Sequence, residues 1–556
     1  MINTYFVEAF RISRLKVEES LENPAIHAGA EGARRKIRRI SQAKGQSRQI
    51  HKKSVPCFPE LLSKEAAFYI FKEAKKMEQF LLNIVSTINS YLSNYILIIL
   101  LVGVGLFYTI RTKFVQIRCF GAGMKQVFGN FSLKGGKQQS GLSSFQALAT
   151  AIAAQVGTGN IVGACGAILI GGPGAIFWMW IIAFFGMATI YAEAIAAQKT
   201  RIVDEDGTVR GGPVYYITSV FKGKGGKFLA GFFAVAVMLA LGFMGSMVQS
   251  NSIGESMHNA FNIPTWVVGL VVTVVAGFIF IGGVQRIGAV TEKVVPVMAL
   301  LYIVGGIVIL VFRGEYILDT FGMIFKYAFN ANAIIGGSIG AAIYAAISQG
   351  AKRGLFSNEA GMGSTPHAHA QANVKDPHDQ GIAAMIGVFI DTFVVLTFTA
   401  LVVISTLFAG DGPLNPANFA EGTFLSGAAE LAGLTKTNLC QQAFGSVFGE
   451  TFGNIFVAIC LLFFAFSTII SWNLFGRINA VYLFGKKSNI VYSIIALAFI
   501  FLGSLLSNDL VWELTDMFNN LMVIPNVIAL FALGKVVSAV AKKKRGKKAE
   551  IADKAE

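Results

Sequence analysis

A chain of 556 residues with 54% hydrophobic and only 14% charged residues and a mean hydropathy of +0.60 is not an ordinary soluble globule, whose charged fraction is near a quarter. It reads as an all-α polytopic membrane protein. The formal charge of +16 would suit nucleic acid, but the basic residues mostly cluster in short loops between apolar runs, which is how a membrane protein marks its cytoplasmic side.

Residues 1–76 carry 16 Lys or Arg against 8 Glu and no apolar signal-peptide core, so a disordered or loosely helical basic extension is expected there. Windows of about 20 apolar residues then predict eleven helices, at 91–110, 143–168, 173–198, 228–252, 265–284, 291–312, 331–356, 381–408, 450–476, 489–507 and 514–539. The loop after the first holds Arg111, Lys113, Arg118, Lys125, Lys134 and Lys137, which places it in the cytoplasm. Alternation puts the Lys199–Lys227 loop, Arg286 with Lys293, Lys352 with Arg353, Arg477 with Lys486 and Lys487, and the terminal Lys542-Lys543-Lys544-Arg545 on the same side. The 409–449 segment falls outside. The same alternation puts the basic extension outside, against the positive-inside rule; translation starting at Met77 would remove that conflict.

The second window contains Gln155-Val156-Gly157-Thr158-Gly159-Asn160-Ile161-Val162-Gly163, with three glycines and an asparagine where a helix should break. Broken backbone within a bilayer is tolerated only where protein shields it or a watery cavity meets it. An outer half starting near Gly159 would turn free amides and its positive dipole end toward the membrane centre, a site for a carboxylate, with Thr158 and Asn160 adding side-chain ligands. The seventh window, also rich in glycine, runs the opposite way. Two five-helix units, 143–312 and 331–539, are what an inverted repeat predicts, with the interrupted first helix of each meeting at the membrane centre. Residues 77–142 form the leading helix and its loop, and 540–556 a basic cytoplasmic tail.

At Gly171-Gly172-Pro173-Gly174-Ala175-Ile176-Phe177-Trp178-Met179-Trp180 and on to Gly186, the chain resembles the signature of the alanine or glycine:cation symporter family. Gly157-Thr158-Gly159-Asn160, Gly211-Gly212-Pro213-Val214-Tyr215-Tyr216 and Gly354-Leu355-Phe356-Ser357-Asn358-Glu359-Ala360-Gly361-Met362-Gly363-Ser364 follow in family order. The resemblance covers residues 78 to about 545. It implies a leucine-transporter (LeuT) fold with one extra leading helix, and uptake of alanine or glycine driven by Na+, or H+ in some members, across the cell membrane. No cofactor beyond the coupling ion is implied.

By the same likeness, the carbonyls of Ala153 and Val156 face Na+, with Ser467 and Thr468 on the ninth helix as a hydroxyl pair; cross-helix hydrogen bonding is their ordinary alternative. Gln249 lies on the helix that lines the cavity in this fold, where its amide would bond the substrate carboxylate. Ser348-Gln349-Gly350 is the expected unwound centre of the seventh helix, offering oxygens to the substrate ammonium, with Gly336-Gly337-Ser338 as the other break. Asp391 sits deep in the apolar eighth window, where an ionised carboxylate costs about 2.5–3.5 kcal/mol. That cost points to a cation partner: the ammonium, Na+, or a buried Lys or Arg. Glu193 is expected to snorkel toward Lys199 or Arg201. His367, His369 and His378 read as a solvated loop, and no nucleophile sits beside a base, so an enzyme is not expected. The rival readings are glutamine or another neutral amino acid as cargo, H+ as coupling ion, a passive channel, and a sensor that binds without transporting.

Overall fold

A computed structural model describes residues 76–129, 141–330, 339–418 and 433–542. The 1–75 part of the basic extension, the alternative break at 336–338 and most of the terminal tail lie outside the described residues. Among those described, seven helices are long and apolar enough to cross a membrane: Lys76–Arg111, Ala175–Thr200, Gly223–Phe261, Gly283–Phe312, Pro377–Phe408, Glu450–Phe484 and Asn508–Ala532. An eighth span is the pair Ser144–Gln155 and Gly159–Gly171, bent by 44° at its break. The apolar helices Thr265–Ile281 and Ser488–Gly503, and Ile339–Asn358, occupy the other three predicted positions. Ordinals below follow this chain order.

The sequence accounts for the bend. Ser143 and Gln146 close a reciprocal capping box at the start of the second helix, and an Ala-rich stretch carries it to Gln155. Val156 then leaves helical geometry at ψ 83°, and the chain resumes as a π-type turn over Gly159–Gly163. Similar widened turns lie in the fourth helix at Met238–Gly245 and in the eighth at Phe389–Leu396. Insertions of this kind collect at functional sites; here they sit just before Gln249 and around Asp391.

Helices of the two predicted five-helix units pack against their counterparts: second on seventh, third on eighth, fourth on ninth, fifth on tenth. The leading helix is joined to the eleventh along its length, by Asn89 Nδ2 to Glu513 Oε2 at 2.6 Å, Asn520 Nδ2 to Ser93 Oγ at 2.8 Å and Tyr108 to the Leu530 carbonyl at 2.5 Å.

Two expectations about the seventh helix are corrected. Ser348, Gln349 and Gly350 lie inside the continuous helix Ile339–Asn358, not in an unwound segment. Gly350 is there for close packing on the third helix, because a Cβ would stand 2.5 Å from Trp178 Cβ and 2.8 Å from the Ala175 carbonyl oxygen. The chain leaves helical geometry after Asn358, where Glu359 (φ 58°), Gly361 (φ 94°) and Gly363 (φ 79°) adopt left-handed conformations. Lys352 and Arg353 are not cytoplasmic loop charges either. Arg353 is buried and forks onto both oxygens of Asp516 at 3.2 and 3.0 Å, and Lys352 reaches the same carboxylate at 2.7 Å. Arg353 and Lys436, the latter from the segment predicted outside, both lie over the Trp512 ring. Cations paired inside a helix bundle carry no information about sidedness, which the positive-inside rule draws from exposed loops.

Candidate functional site

The two breaks are braced against each other. At the end of the first half of the second helix, Gln155 Nε2 donates to the Asn358 carbonyl at 2.7 Å, closing the end of the seventh helix. Past the break, Asn160 Nδ2 donates to Asp391 Oδ1 at 2.7 Å, and Ser357 Oγ donates to the same carboxylate at 2.9 and 3.1 Å. Thr392 Oγ1 adds a bond to Asp391 Oδ2 at 2.8 Å. Asp391 is completely buried, and its donors are all neutral. Among the described residues no Lys or Arg pairs with it, which removes the structural ion pair from its candidate partners.

The exposed amides of the break are held by side chains. Gly157 N–H donates to Asn160 Oδ1 at 3.1 Å, and Thr158 N–H donates to Gln249 Oε1 at 3.2 Å. Gln249 therefore reaches the break as its position suggested, with its oxygen standing on the amide where a carboxylate would bind. Among the described residues Gln249 Nε2 and Thr158 Oγ1 are buried without a hydrogen-bond partner, a costly state for polar atoms away from water.

On the other side of Gly157 stands the ninth helix. Thr468 Oγ1 donates to the Ala153 carbonyl at 2.8 Å, and Ser467 Oγ lies 3.5 Å from the same oxygen. Both hydroxyls also reach the Phe464 carbonyl, at 2.9 and 3.1 Å. Gly157 is needed at this junction: a Cβ would stand 2.3 Å from Thr468 Oγ1 and 3.2 Å from Gln249 Oε1. Val156 turns the chain between these groups. The structure thus gathers Ala153, Val156, Gly157, Thr158, Gly159, Asn160, Gln249, Asp391, Ser467 and Thr468 around one break, and leaves Ser348, Gln349 and Gly350 against the third helix.

Ser357, Thr392 and Gln155 also belong to this site and were not singled out from the sequence. Gln155 and Ser357 stand inside the stretches quoted for the break and for the family resemblance, and Thr392 is next to Asp391, but only a fold places them. Glu193 departs from its expected role: it is fully buried and accepts from the Gly361 and Gly363 amides at 3.1 and 3.0 Å and from Asn526 Nδ2 at 2.6 Å. The carboxylate caps the seventh-helix break. Glu359, strained by about 1–3 kcal/mol in its left-handed conformation, accepts from Ser364 Oγ and Trp472 Nε1, both at 2.5 Å.

The histidines are not solvated. His367 and His369 are buried in the short helix Pro366–Gln371, where His367 lies between the Phe233 and Phe475 rings and burial pushes its imidazole down to about 4. Among the described residues no group of three or more His, Cys, Asp or Glu is placed to hold a metal ion.

A sequence profile described as the sodium:alanine symporter family matches residues 77–555, nearly all of the chain beyond the basic extension. The chain belongs to the sodium:alanine symporter family. Within it, the "Sodium/alanine symporter AgcS" of Methanococcus maripaludis is 40% identical over 457 residues, 82% of this chain and 95% of that protein. The "Probable sodium/glutamine symporter GlnT" of Bacillus subtilis is 38% identical, over 85% of this chain and 93% of that one. A solved structure, MhsT in complex with L-phenylalanine, aligns at a TM-score of 0.49 and 15% identity over 73% of this chain and 99% of that one, too distant to carry an argument. A symporter family and a set of apolar spans make this a multi-pass membrane transporter.

Proposed function

We propose that this protein takes up a small neutral amino acid, alanine or glycine, together with Na+ by alternating access across the cell membrane, its C-terminal tail in the cytoplasm. One observation carries the reading. A single break in the second helix has amides held by a replaceable side-chain oxygen on one face and a carbonyl beside two hydroxyls on the other. The substrate carboxylate takes the place of Gln249 Oε1 on the Thr158 amide, and the unpartnered Gln249 Nε2 and Thr158 Oγ1 become its donors. Na+ takes oxygen ligands, as hard cations do. Ser467 keeps its hydrogen on the Phe464 carbonyl and Thr468 turns its hydrogen from the Ala153 carbonyl to that of Phe464, so that both offer lone pairs alongside the carbonyls of Ala153 and Val156. Asp391, joined to the break through Asn160, faces the positive part of the cargo.

Packing of four helices of the first unit on their counterparts in the second supports a LeuT-type inverted repeat that rocks around this fixed point. Each inward charge contributes about 2.3 kcal/mol at 100 mV, so the gradient suffices without a nucleotide site. A channel would be lined by repeated rings along one axis, unlike this offset set of ligands. The relative named for glutamine supports a second reading in which the cargo is glutamine. The test is uptake of radiolabelled alanine into proteoliposomes with and without an imposed Na+ gradient. Alanine accumulation that ignores the gradient overturns Na+ coupling, and accumulation of glutamine in place of alanine selects the second reading.

A further inference from the structure

Where the ninth helix gives way to the tenth, a groove of about 350 Å3 opens beside the fourth. Its floor is Phe243, Ala480 and Tyr492, all buried, which with Ala496 form an apolar cluster separate from the main core. The Phe243 ring stacks on that of Tyr492, with centroids 5.5 Å apart. Phe484 and Val491 line the rim and are 68% and 59% exposed, so the groove is open. Ile490 and Ile494 continue the exposed apolar surface along the tenth helix, and in a multi-pass membrane protein such a surface faces hydrocarbon.

The mouth of the groove is positive. Lys487 lines it, as the residue before the first turn of the tenth helix, and among the described residues it has no ion pair. Lys486 beside it does not line the groove and is held by Asp206 at 2.7 Å and Asp204 at 3.5 Å. Ser488 spends its hydrogen on the Gly485 carbonyl at 2.8 Å, which leaves Lys487 as the side-chain donor at the mouth. No side chain caps the start of the tenth helix, so its amide end adds to the positive potential there.

The structure assigns this groove to an acidic phospholipid of the cytoplasmic leaflet, with one acyl chain in the slot between the fourth, ninth and tenth helices and the phosphate on Lys487. The bilayer itself supplies this occupant, and an unpaired lysine over an apolar slot, on the side that the positive-inside rule makes cytoplasmic, is complementary to it. A neutral lipid fills the slot without gaining at the mouth. A second copy of the chain would bury Lys487 with no acid to answer it. The Tyr492 hydroxyl reaches from the floor into the seam between Gly242 of the fourth helix and Gly476 of the ninth, where a Cβ on either glycine would overlap it. The lipid therefore lies against the two helices that carry Gln249 and Thr468, beside the widened turn Met238–Gly245.

The experiment is native mass spectrometry of the full chain in detergent, titrated with phosphatidylglycerol or with phosphatidylcholine of the same acyl chains, for wild type, Lys487→Gln, Lys486→Gln and Val491→Trp. All three positions are exposed, so the variants are expected to fold. Wild type is expected to bind phosphatidylglycerol more tightly than phosphatidylcholine. Lys487→Gln should weaken phosphatidylglycerol about fivefold and leave phosphatidylcholine unchanged, Lys486→Gln should bind both as wild type does, and Val491→Trp should weaken both by filling the slot. Equal affinity of the wild type for the two lipids, or equal losses in the two lysine variants, overturns the acidic head group at Lys487; unchanged binding by Val491→Trp overturns the groove. The assay measures no transport, so its result stands apart from the proposed cargo and coupling ion.

Discussion

Gly157→Ala probes the junction of the two ligand sets with one methyl group. Its Cβ would stand 2.3 Å from Thr468 Oγ1 and 3.2 Å from Gln249 Oε1, so the threonine must give way. Overpacking of this kind costs about 1–3 kcal/mol, and losing the Thr468 bond to the Ala153 carbonyl costs about 1 kcal/mol more. The total of about 2–4 kcal/mol corresponds to roughly 30-fold to 10³-fold in an equilibrium constant. If Thr468 and Ala153 hold the cation, the loss falls on Na+: the concentration for half-maximal alanine uptake rises at least about 30-fold, while alanine affinity at saturating Na+ changes less. Adding Thr468→Ala removes the steric conflict and should recover the overpacking part of the lost stability in detergent, but not the Thr468 hydrogen bond and not the Na+ dependence. A Gly157→Ala protein that transports with Na+ dependence within about threefold of wild type, about 0.7 kcal/mol, would refute the assignment of this junction to the cation.

Four further outcomes are expected. Thr158→Val, isosteric at a hydroxyl with no protein partner, should leave the melting temperature unchanged and weaken alanine binding about tenfold or more, about 1.4 kcal/mol; unchanged binding in a scintillation proximity assay counts against the carboxylate site. Asp391→Asn should express well and lose transport, because it relieves an insertion cost of about 2.5–3.5 kcal/mol while removing the charge; poor folding or wild-type uptake each contradicts this. Between about pH 6.5 and about 4 the wild type should lose more melting temperature than His367→Gln does, because the unfolded chain protonates His367 over a range where the folded protein keeps it neutral. The difference is about 3 kcal/mol in all, whole above the unfolded value and lost toward the folded one; identical pH profiles for the two proteins refute it. Finally, a chain beginning at Met77 should insert and transport as the full chain does, since the family profile starts there; loss of uptake at equal expression gives the extension a role.

The second-helix break was legible because glycine and asparagine are poor helix formers and stood alone in an apolar window. The seventh-helix break was not, because Ser348-Gln349-Gly350 and Glu359-Ala360-Gly361 offer similar local signals, and the choice is made by the third helix packing onto Gly350 and by Glu193 capping the second set. Asn160 and Asp391 were each suspect from sequence as polar groups in apolar surroundings; that they answer each other was hidden in the 231 residues between them. The buried histidines were misread for a related reason. A polar loop sequence says nothing of the aromatic rings that other helices bring to it.

Cross-bracing of the two breaks bears on how the protein is made. Asn160 waits for an aspartate 231 residues downstream, Glu193 for amides 168 and 170 residues later, and Ala153 for a threonine 315 residues away. Until those segments leave the ribosome, the early helices sit in lipid with unanswered polar groups, and helices that later pack on counterparts have none. The cross-bracing of the N-terminal half therefore forms only once the C-terminal half has been made.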